Sequence, residues 1–475
     1  MPPIIALLLC LLFVGALLKI DHQRSAGLTK ALWIPTLWFL YCATRPLTEW
    51  FQSGQYAEPG AFTIESGSTL DRNVLSILIV ISLIILQKRR INWTRIFKDN
   101  RWLVALLVYM LVSILWSDYP FVSFKRWIRT AGTLIMALMV LTEASPYEAM
   151  QAIIRRVIYV VIPFSALLVK YFPRIGVAFG RWSGEPSYVG ATLTKNTLGE
   201  ICMLSVFFII WFFVRRREGN DPGVTRHQTL AEIMILALTL FLMKGPTGYG
   251  ATSLTYSATS IVVLLAGLAT FFTLRRLKAH IAYLGRVICL ALLGAGLVAL
   301  LLNVLDISPV ALVAKSVGRN ANLTDRTDLI WAVLLPIAWK HPVLGLGYGA
   351  FWIAPVPDLT LDVNEAHNGY LDVFIELGVV GLVLLLFMFV EYFQKAKREF
   401  QHYFDWAAFR LSFLLIILLY NWTETTLLRS REILWNLLVV FLVVFPGDWV
   451  WWQVSVPAPV EELHPELEVT ELEAK

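Results

Sequence analysis

The chain has 475 residues, of which 57% are hydrophobic and only 16% charged, and its formal net charge is +6. A water-soluble protein of this length needs more charge to cover its surface, so the composition excludes a soluble enzyme and indicates an integral membrane protein. The positive charge is too modest to suggest a nucleic-acid partner. The four cysteines lie in apolar runs without metal-ligand spacing, and we expect free thiols.

Apolar runs recur along the whole chain. A membrane-spanning helix needs roughly 20 apolar residues. The sequence therefore predicts an all-α, polytopic membrane protein with about 12–14 spanning helices, which form one domain over residues 1–456. The thirteen candidate spans, of which the second and fifth are marginal, are 2–19, 28–43, 72–87, 102–117, 130–142, 155–171, 196–214, 228–243, 251–273, 283–303, 368–391, 406–420 and 432–448.

Lysine and arginine clusters predict the orientation of these spans. The densest clusters are residues 88–90, 215–217, 275–278 and 395–398. All four fall on one side if thirteen helices alternate, and short basic loops face the cytoplasm. The N-terminus is then outside and the C-terminus inside. The acidic, proline-containing segment 457–475 is predicted to be a disordered cytoplasmic tail.

The loop at about 304–367 is far longer than the others, and long loops in compact proteins are usually functional. On this orientation it lies on the outer side. Its apolar stretch 329–339 is too short to span and contains Pro336, so it predicts a short helix at the membrane surface. The glycine-rich run 341–349 (HPVLGLGYG) predicts a tight turn.

Polar residues mark the point where this loop enters the next span. His367 and Asn368 precede the apolar run, and Glu376 lies about two and a half helical turns inside it. Asn368 is predicted to cap the helix. A carboxylate at the depth of Glu376 is predicted to be a structural partner for a polar group rather than a reacting acid.

Four runs in this region occur in a recognisable order. They are 326–331 (RTDLIW), 341–347 (HPVLGLG), 366–371 (AHNGYL) and 376–382 (ELGVVGL). Together they resemble the signature of the O-antigen ligase and O-antigen polymerase superfamily. The runs 193–199 (LTKNTLG) and 251–253 (ATS) are similar to the exopolysaccharide polymerase branch of that superfamily.

This resemblance implies a metal-independent glycosyltransferase in the bacterial inner membrane, without a cofactor and with its active face in the periplasm. Such proteins transfer a glycan from undecaprenyl diphosphate to a hydroxyl of lipid A-core, as ligases, or of another carrier-linked repeat, as polymerases. The family's functional histidine and arginine correspond to His367 and Arg326. The run 244–249 (KGPTGY) lacks the arginine of ligases, which favours a polymerase. The expected partners are the carrier-linked oligosaccharide, membrane lipids and a chain-length regulator.

The chemistry gives a separate reason for these residue types. A sugar hydroxyl is a poor nucleophile, and a histidine with a pKa near 6.5 can take its proton, so His367 is the predicted general base. A diphosphate leaving group needs positive charge, which guanidinium supplies with two aligned donors. Arg326 is the first candidate for that charge. Further substrate-binding candidates are Arg319, Arg181, Lys195, Lys244, the group Lys125, Arg126 and Arg129, and also Asn368 and Tyr370.

Each assignment has a simpler alternative. His367 can hydrogen-bond a loop carbonyl, Arg326 can pair with Asp325 or Asp328 at the surface, and Tyr370 can pack at the interface. A flippase for lipid-linked sugars would also have many helices. Transporters carry ionisable residues along their spans, whereas the spans here are nearly free of charge, which favours surface chemistry.

Overall fold

The structure, a computed structural model, is almost entirely helical over the residues that it describes. These residues are 1–25, 27–51, 68–89, 91–179, 184–219, 224–246, 255–278, 330–354, 356 and 364–443. Several predictions fall outside these ranges: the span 283–303, the tail 457–475, most of the outer loop, and the candidates Arg181, Arg319 and Arg326.

The described part of the chain contains sixteen α-helices, three short 3-10 helices and one small hairpin. The hairpin pairs β1 (Val177–Phe179) with β2 (Pro186–Tyr188), antiparallel. The helices, in chain order, are α1 Pro3–Arg24, α2 Trp33–Cys42, α3 Leu47–Phe51, α4 Thr69–Lys88, α5 Trp93–Asp99, α6 Arg101–Val112, α7 Pro120–Leu141, α8 Pro146–Tyr171, α9 Pro173–Gly176, α10 Lys195–Arg217, α11 Arg226–Lys244, α12 Ala258–Arg276, α13 Ala332–Ala338, α14 Gly369–Glu399, α15 Phe404–Tyr420 and α16 Ile433–Val443.

Each predicted span within the described ranges coincides with a helix. Seven of these helices are long and apolar enough to cross a membrane. An eighth candidate is the bent pair Trp93–Asp99 and Arg101–Trp116, whose parts meet at 91°. The prediction of an all-α polytopic membrane protein is confirmed.

Burial divides the long helices into a centre and a periphery. Helices α8 and α10 are 83% and 78% buried over their most apolar stretches, whereas α1 is 11% buried. The inner helices α15 and α16 complete the core through Trp406, Phe413 and Trp435, which are fully buried. Peripheral helices turn leucine and isoleucine side chains outward, as a helix in contact with lipid requires.

Helix α14 is interrupted at Gly378, and the glycine-rich turn fills the interruption. Gly378 has φ 62° and ψ −163°, a conformation that only glycine adopts readily. The freed backbone groups bond to the turn: Val379 N–H donates to Pro342 O at 2.8 Å, and Gly347 N–H donates to Glu376 O at 2.9 Å. A Cβ on Gly378 would lie 2.2 Å from Val343 O. The turn predicted at 341–349 is therefore docked into a broken helix.

The predicted surface helix at 329–339 is observed as α13, with Pro336 inside it. Its Leu334 and Ala338 are buried against α14, whereas Leu335 and Trp339 are exposed. One face of this short helix thus packs on the protein, and the other is apolar and open.

Candidate functional site

A cavity of about 650 Å³ lies at one end of the helix bundle. Its walls come from segments that are far apart in the chain: the ends of α2 and α15, the starts of α7, α10 and α14, and the loop 421–432. Helices α10 and α14 both begin at this cavity and end in the basic clusters 215–217 and 395–398. The cavity therefore lies opposite the basic clusters, on the side that the sequence predicts to be outer.

His367 lines this cavity on a backbone that is fixed on both sides. The preceding Ala366 donates its N–H to Asp372 Oδ2 at 3.2 Å and accepts the indole N–H of Trp331 at 2.8 Å. The following Asn368 caps α14, since its Oδ1 accepts the N–H groups of Tyr370 and Leu371. His367 itself has φ 49°, which is uncommon for a residue with a side chain. This conformation turns the imidazole toward two carboxylates.

The Nδ1 atom of His367 lies between Glu365 and Glu424. It is 2.8 Å from Glu365 Oε1 and 3.3 Å from Glu424 Oε2. The other oxygen of Glu424 accepts the amide N–H of Asn196 at 2.9 Å. Carboxylates accept hydrogen bonds, so this contact favours the tautomer with the proton on Nδ1 and the lone pair on Nε2.

The same three residues, Glu365, His367 and Glu424, could hold a metal ion, since their ligand atoms lie within 4.8 Å of one another. The sequence predicted no such cluster, because Glu424 is 57 positions from His367. Two ligands of a tetrahedral zinc ion with bonds of about 2.0–2.1 Å lie about 3.3 Å apart. The 2.8 Å contact between His367 and Glu365 is instead a hydrogen-bond distance. The geometry therefore favours a shared proton.

Four arginines line the same cavity. Arg126 Nη1 donates to Gly349 O at 2.7 Å, and Arg129 Nε donates to Ser430 Oγ at 2.5 Å. Arg429 Nη2 is 3.5 Å from Asp372 Oδ2.

The fourth arginine, Arg431, is held differently. It lies over the ring of Tyr41 at 5.6 Å, and its Nε has no hydrogen-bond partner among the residues that the structure describes. The cavity is thus lined by guanidinium groups together with carboxyl groups, and a guanidinium group can bind an anion through aligned donors.

The walls around these groups are tied together by buried hydrogen bonds. Asp372 accepts from Trp352 Nε1 at 2.8 Å and from Thr425 Oγ1 at 2.6 Å. The Tyr348 hydroxyl donates to Leu428 O at 2.8 Å, and its burial raises the pKa of Tyr348 to about 12, so it stays a donor at neutral pH. Glu376 Oε2 accepts the N–H of Gly349 at 3.0 Å, in agreement with the structural role predicted for it.

Only some of the predicted cationic candidates line the same cavity as His367. Arg126 and Arg129 line the cavity, but Lys125 does not and lies over the ring of Phe121 at 4.9 Å. Lys195 lines a separate, small cavity behind α10. Lys244 is exposed at the end of α11, outside the lining of the His367 cavity.

Tyr370 also lies away from the cavity. Its hydroxyl donates to Leu418 O at 2.8 Å and its ring packs against the core. The packing role that the sequence left open for Tyr370 is the one observed. Asn368 uses its side-chain oxygen for the cap, as predicted.

Sequence reasoning missed the loop 421–432, which supplies Glu424, Arg429 and Arg431. Asn421 shapes this loop: it is fully buried, and its Oδ1 accepts the N–H groups of Thr426 and Leu427. The available signal was a cluster of four charged residues in a short connection between two apolar spans. A charged cluster on the predicted outer side does not set the orientation of the protein in the membrane. Its presence there therefore indicates a functional site.

Comparisons with known proteins agree with the motifs. Residues 247–386 match the O-antigen ligase family. The chain is also 25% identical over 320 residues to the exopolysaccharide production protein ExoQ of Rhizobium meliloti. That alignment covers 62% of this chain and 65% of the relative, which is slightly less than two thirds of the relative's length. The predicted resemblance to the O-antigen ligase and polymerase superfamily, and to its exopolysaccharide branch, is confirmed.

Proposed function

We propose that this multi-pass membrane protein of the O-antigen ligase and polymerase superfamily is a polysaccharide polymerase. It would transfer a glycan from an undecaprenyl diphosphate-linked donor to a hydroxyl of a second carrier-linked repeat. One observation carries the proposal: an imidazole whose Nδ1 faces two carboxylates lines the same cavity as four arginines. Such an arrangement supports a transfer in which a base and an anion-binding group act together without a metal.

The base in this proposal is the Nε2 atom of His367. The acceptor oxygen attacks the anomeric carbon from the face opposite the diphosphate, so the configuration inverts. Nε2 takes the hydroxyl proton as the new bond forms, and Glu365 and Glu424 stabilise the resulting imidazolium through Nδ1–H. A base positioned in this way contributes about 10²–10⁴-fold to a rate.

The leaving group is the carrier diphosphate, which departs with the electron pair of the broken carbon–oxygen bond. Guanidinium groups stabilise that developing charge with aligned donors. Arg126, Arg129, Arg429 and Arg431 are the cavity residues proposed for this task. Arg326, the first candidate from the sequence, and Arg319 lie in the part of the outer loop that the structure does not describe, and they remain candidates for the same role.

The position of the cavity supports the proposed orientation. Its walls lie at the ends of helices opposite the basic clusters, which supports a reaction on the periplasmic face of the inner membrane. Carrier-linked sugars present their glycans at a membrane surface, so a cavity at the end of the bundle suits them better than one at mid-membrane.

The relative's name refers to exopolysaccharide production, and the run 244–249 lacks the arginine expected of a ligase. Both favour a polymerase. The matched family is described as an O-antigen ligase, so transfer to lipid A-core is the second candidate.

Reconstitution of the purified protein in liposomes with a carrier-linked repeat unit tests the proposal. We expect release of undecaprenyl diphosphate together with growth of the glycan, and no loss of activity with EDTA. Transfer only to added lipid A-core would identify a ligase. Movement of intact substrate across the bilayer without transfer would identify a flippase and refute the proposal.

A further inference from the structure

Helix α5 lies across the end of the bundle that carries the basic clusters. It follows the cluster 88–90 and meets the spanning segment Arg101–Trp116 at 91°. The other end of that segment reaches the predicted outer side, where Ser117 approaches the glycine-rich turn at Gly347. A helix perpendicular to a spanning helix runs along the membrane surface, and α5 therefore lies at the predicted cytoplasmic interface.

The side chains of α5 give it an apolar side and a polar side. Ile96 is buried in the core. Trp93 and Phe97, one turn apart, are 45% and 47% exposed, and the centres of their rings are 6.0 Å apart. Thr94 and Lys98 are exposed one position further round the helix. Aromatic side chains beside basic ones on a short helix are typical of helices that lie at the interface between lipid and water.

Contacts at both ends hold α5 in this position. Before it, Arg89 Nη2 donates to Glu143 Oε1 at 2.7 Å. After it, Asn100 is buried: its amide donates to Ile96 O at 3.0 Å, and its Oδ1 accepts from Lys395 Nζ at 2.7 Å. The surface that α5 presents is thus fixed by the protein, and a partner need not order it on binding.

The segment 88–101 carries more positive charge than its own contacts use. It contains six basic residues and one acidic residue. Lys88, Lys98 and Arg101 are exposed, and none of the three forms an ion pair with a carboxylate in the described part of the chain. Exposed cations beside half-exposed aromatic rings are complementary to a membrane leaflet with anionic headgroups.

From the right angle between α5 and the spanning segment, the aromatic pair and the three cations, we infer that this surface binds headgroups of anionic phospholipids in the cytoplasmic leaflet. We call it the α5 surface; it consists of Lys88, Trp93, Phe97, Lys98 and Arg101. The aromatic rings lie at the level of the headgroups, and the cations contact the phosphate groups. The α5 surface is at the opposite end of the bundle from the cavity, so the inference is independent of the proposed function.

Lys88→Gln, Lys98→Gln and Arg101→Gln, combined in one variant, test the α5 surface. All three side chains are exposed, so the fold should be preserved, and thermal unfolding in detergent checks this. The probes are phosphatidylglycerol, which is anionic, and phosphatidylcholine, which is neutral. Native mass spectrometry of the purified protein counts the lipids bound at increasing lipid concentration. We expect the wild type to prefer phosphatidylglycerol and the variant to bind it about tenfold more weakly.

The matched control combines Arg217→Gln, Arg226→Gln and Arg276→Gln. It removes the same charge from exposed residues at the same end of the bundle, on helices α10, α11 and α12 rather than at α5. We expect the control to bind phosphatidylglycerol like the wild type. Equal losses in the two variants would show that net charge alone attracts the lipid, and equal binding of the two lipids by the wild type would exclude selection of an anionic headgroup. Either result overturns the inference.

A photo-reactive residue at position 97 identifies the partner in cells. Replacement of Phe97 by benzoylphenylalanine places a reactive carbonyl on an aromatic side chain that is already half exposed. We expect irradiation to attach phospholipid to the protein. Attachment of another protein instead of lipid would assign the α5 surface to a protein partner and overturn the inference.

Discussion

At the scale of single residues, the cavity depends on how one histidine is held. The Nδ1 atom of His367 faces Glu365 and Glu424, and Asn196 fixes Glu424 from the other side. A histidine whose second nitrogen faces a carboxylate has a defined tautomer, and loss of such a partner typically costs about 10–100-fold in activity. The role of the histidine can therefore be distinguished from that of its carboxylate partners by how far each substitution lowers the transfer rate.

We predict that His367→Ala abolishes glycan growth, with a rate loss of about 10²–10⁴-fold, because the attacking hydroxyl loses its base. Glu424→Gln should lose less, about 10–100-fold, because Glu365 still faces Nδ1. Initial rates with the carrier-linked repeat unit measure both variants. A Glu424→Gln variant with wild-type rate would show that Glu424 does not position the base.

We also predict that Arg431→Gln lowers kcat about 10²–10³-fold, by analogy with the loss of one donor to a developing anion. Arg431→Lys should restore only part of the rate, because an ammonium cannot offer two aligned donors. Arg217→Gln, a change at the opposite end of α10, is the control and should leave the rate unchanged. Equal rates in Arg431→Gln and the control would exclude Arg431 from diphosphate binding.

At the scale of elements, the break in α14 is what brings the glycine-rich turn to the cavity. Gly345, Gly347 and Gly349 all have positive φ values, and a Cβ on Gly349 would lie 2.9 Å from the Arg126 side chain. The turn delivers the carbonyl of Gly349 to Arg126 and its N–H to Glu376. The run 341–349 therefore shapes the arginine side of the cavity.

Gly378→Ala tests this element. The backbone conformation at position 378 costs a residue that has a side chain about 1–3 kcal/mol, and the new Cβ would also lie too close to Val343 O. We therefore expect a clearly lower melting temperature and little activity. Gly15→Ala in α1 is the matched control: its Cβ meets nothing within 4 Å, and alanine is preferred in a helix. Thermal unfolding in detergent measures both. Equal melting temperatures would contradict the role of the break.

At the scale of the whole molecule, charge is separated between the two ends of the bundle. The cavity lies at one end, and the other end carries the basic clusters together with buried ion pairs, such as those of Asp21 with Arg155 at 2.8 Å and with Arg156 at 2.6 Å. Removal of one partner from a buried pair costs about 3–5 kcal/mol. These pairs tie α1 to α8 at the end remote from the site.

The proposed orientation predicts which positions a membrane-impermeant maleimide can reach. In a background without native cysteines, Trp422→Cys beside the cavity should react in intact spheroplasts, since Trp422 is exposed. Arg217→Cys should react only after the membrane is permeabilised. The reverse pattern would place the cavity in the cytoplasm and exclude a periplasmic reaction.

The sequence by itself determined the membrane class, the positions of the helices and the cap formed by Asn368. These features are local: hydropathy over about 20 residues marks a span, and a cap lies beside the helix that it caps. Only the tertiary structure decided which residues surround His367. Glu424 contacts His367 from a loop more than fifty positions away, and Arg429 and Arg431 of that loop line the same cavity. Lys195 and Tyr370, which the motifs suggested, lie outside the cavity lining. The reason is physical: the packing of the helix ends determines which loops meet. That packing depends on contacts between segments that are far apart in the sequence, and a local sequence pattern does not contain those contacts.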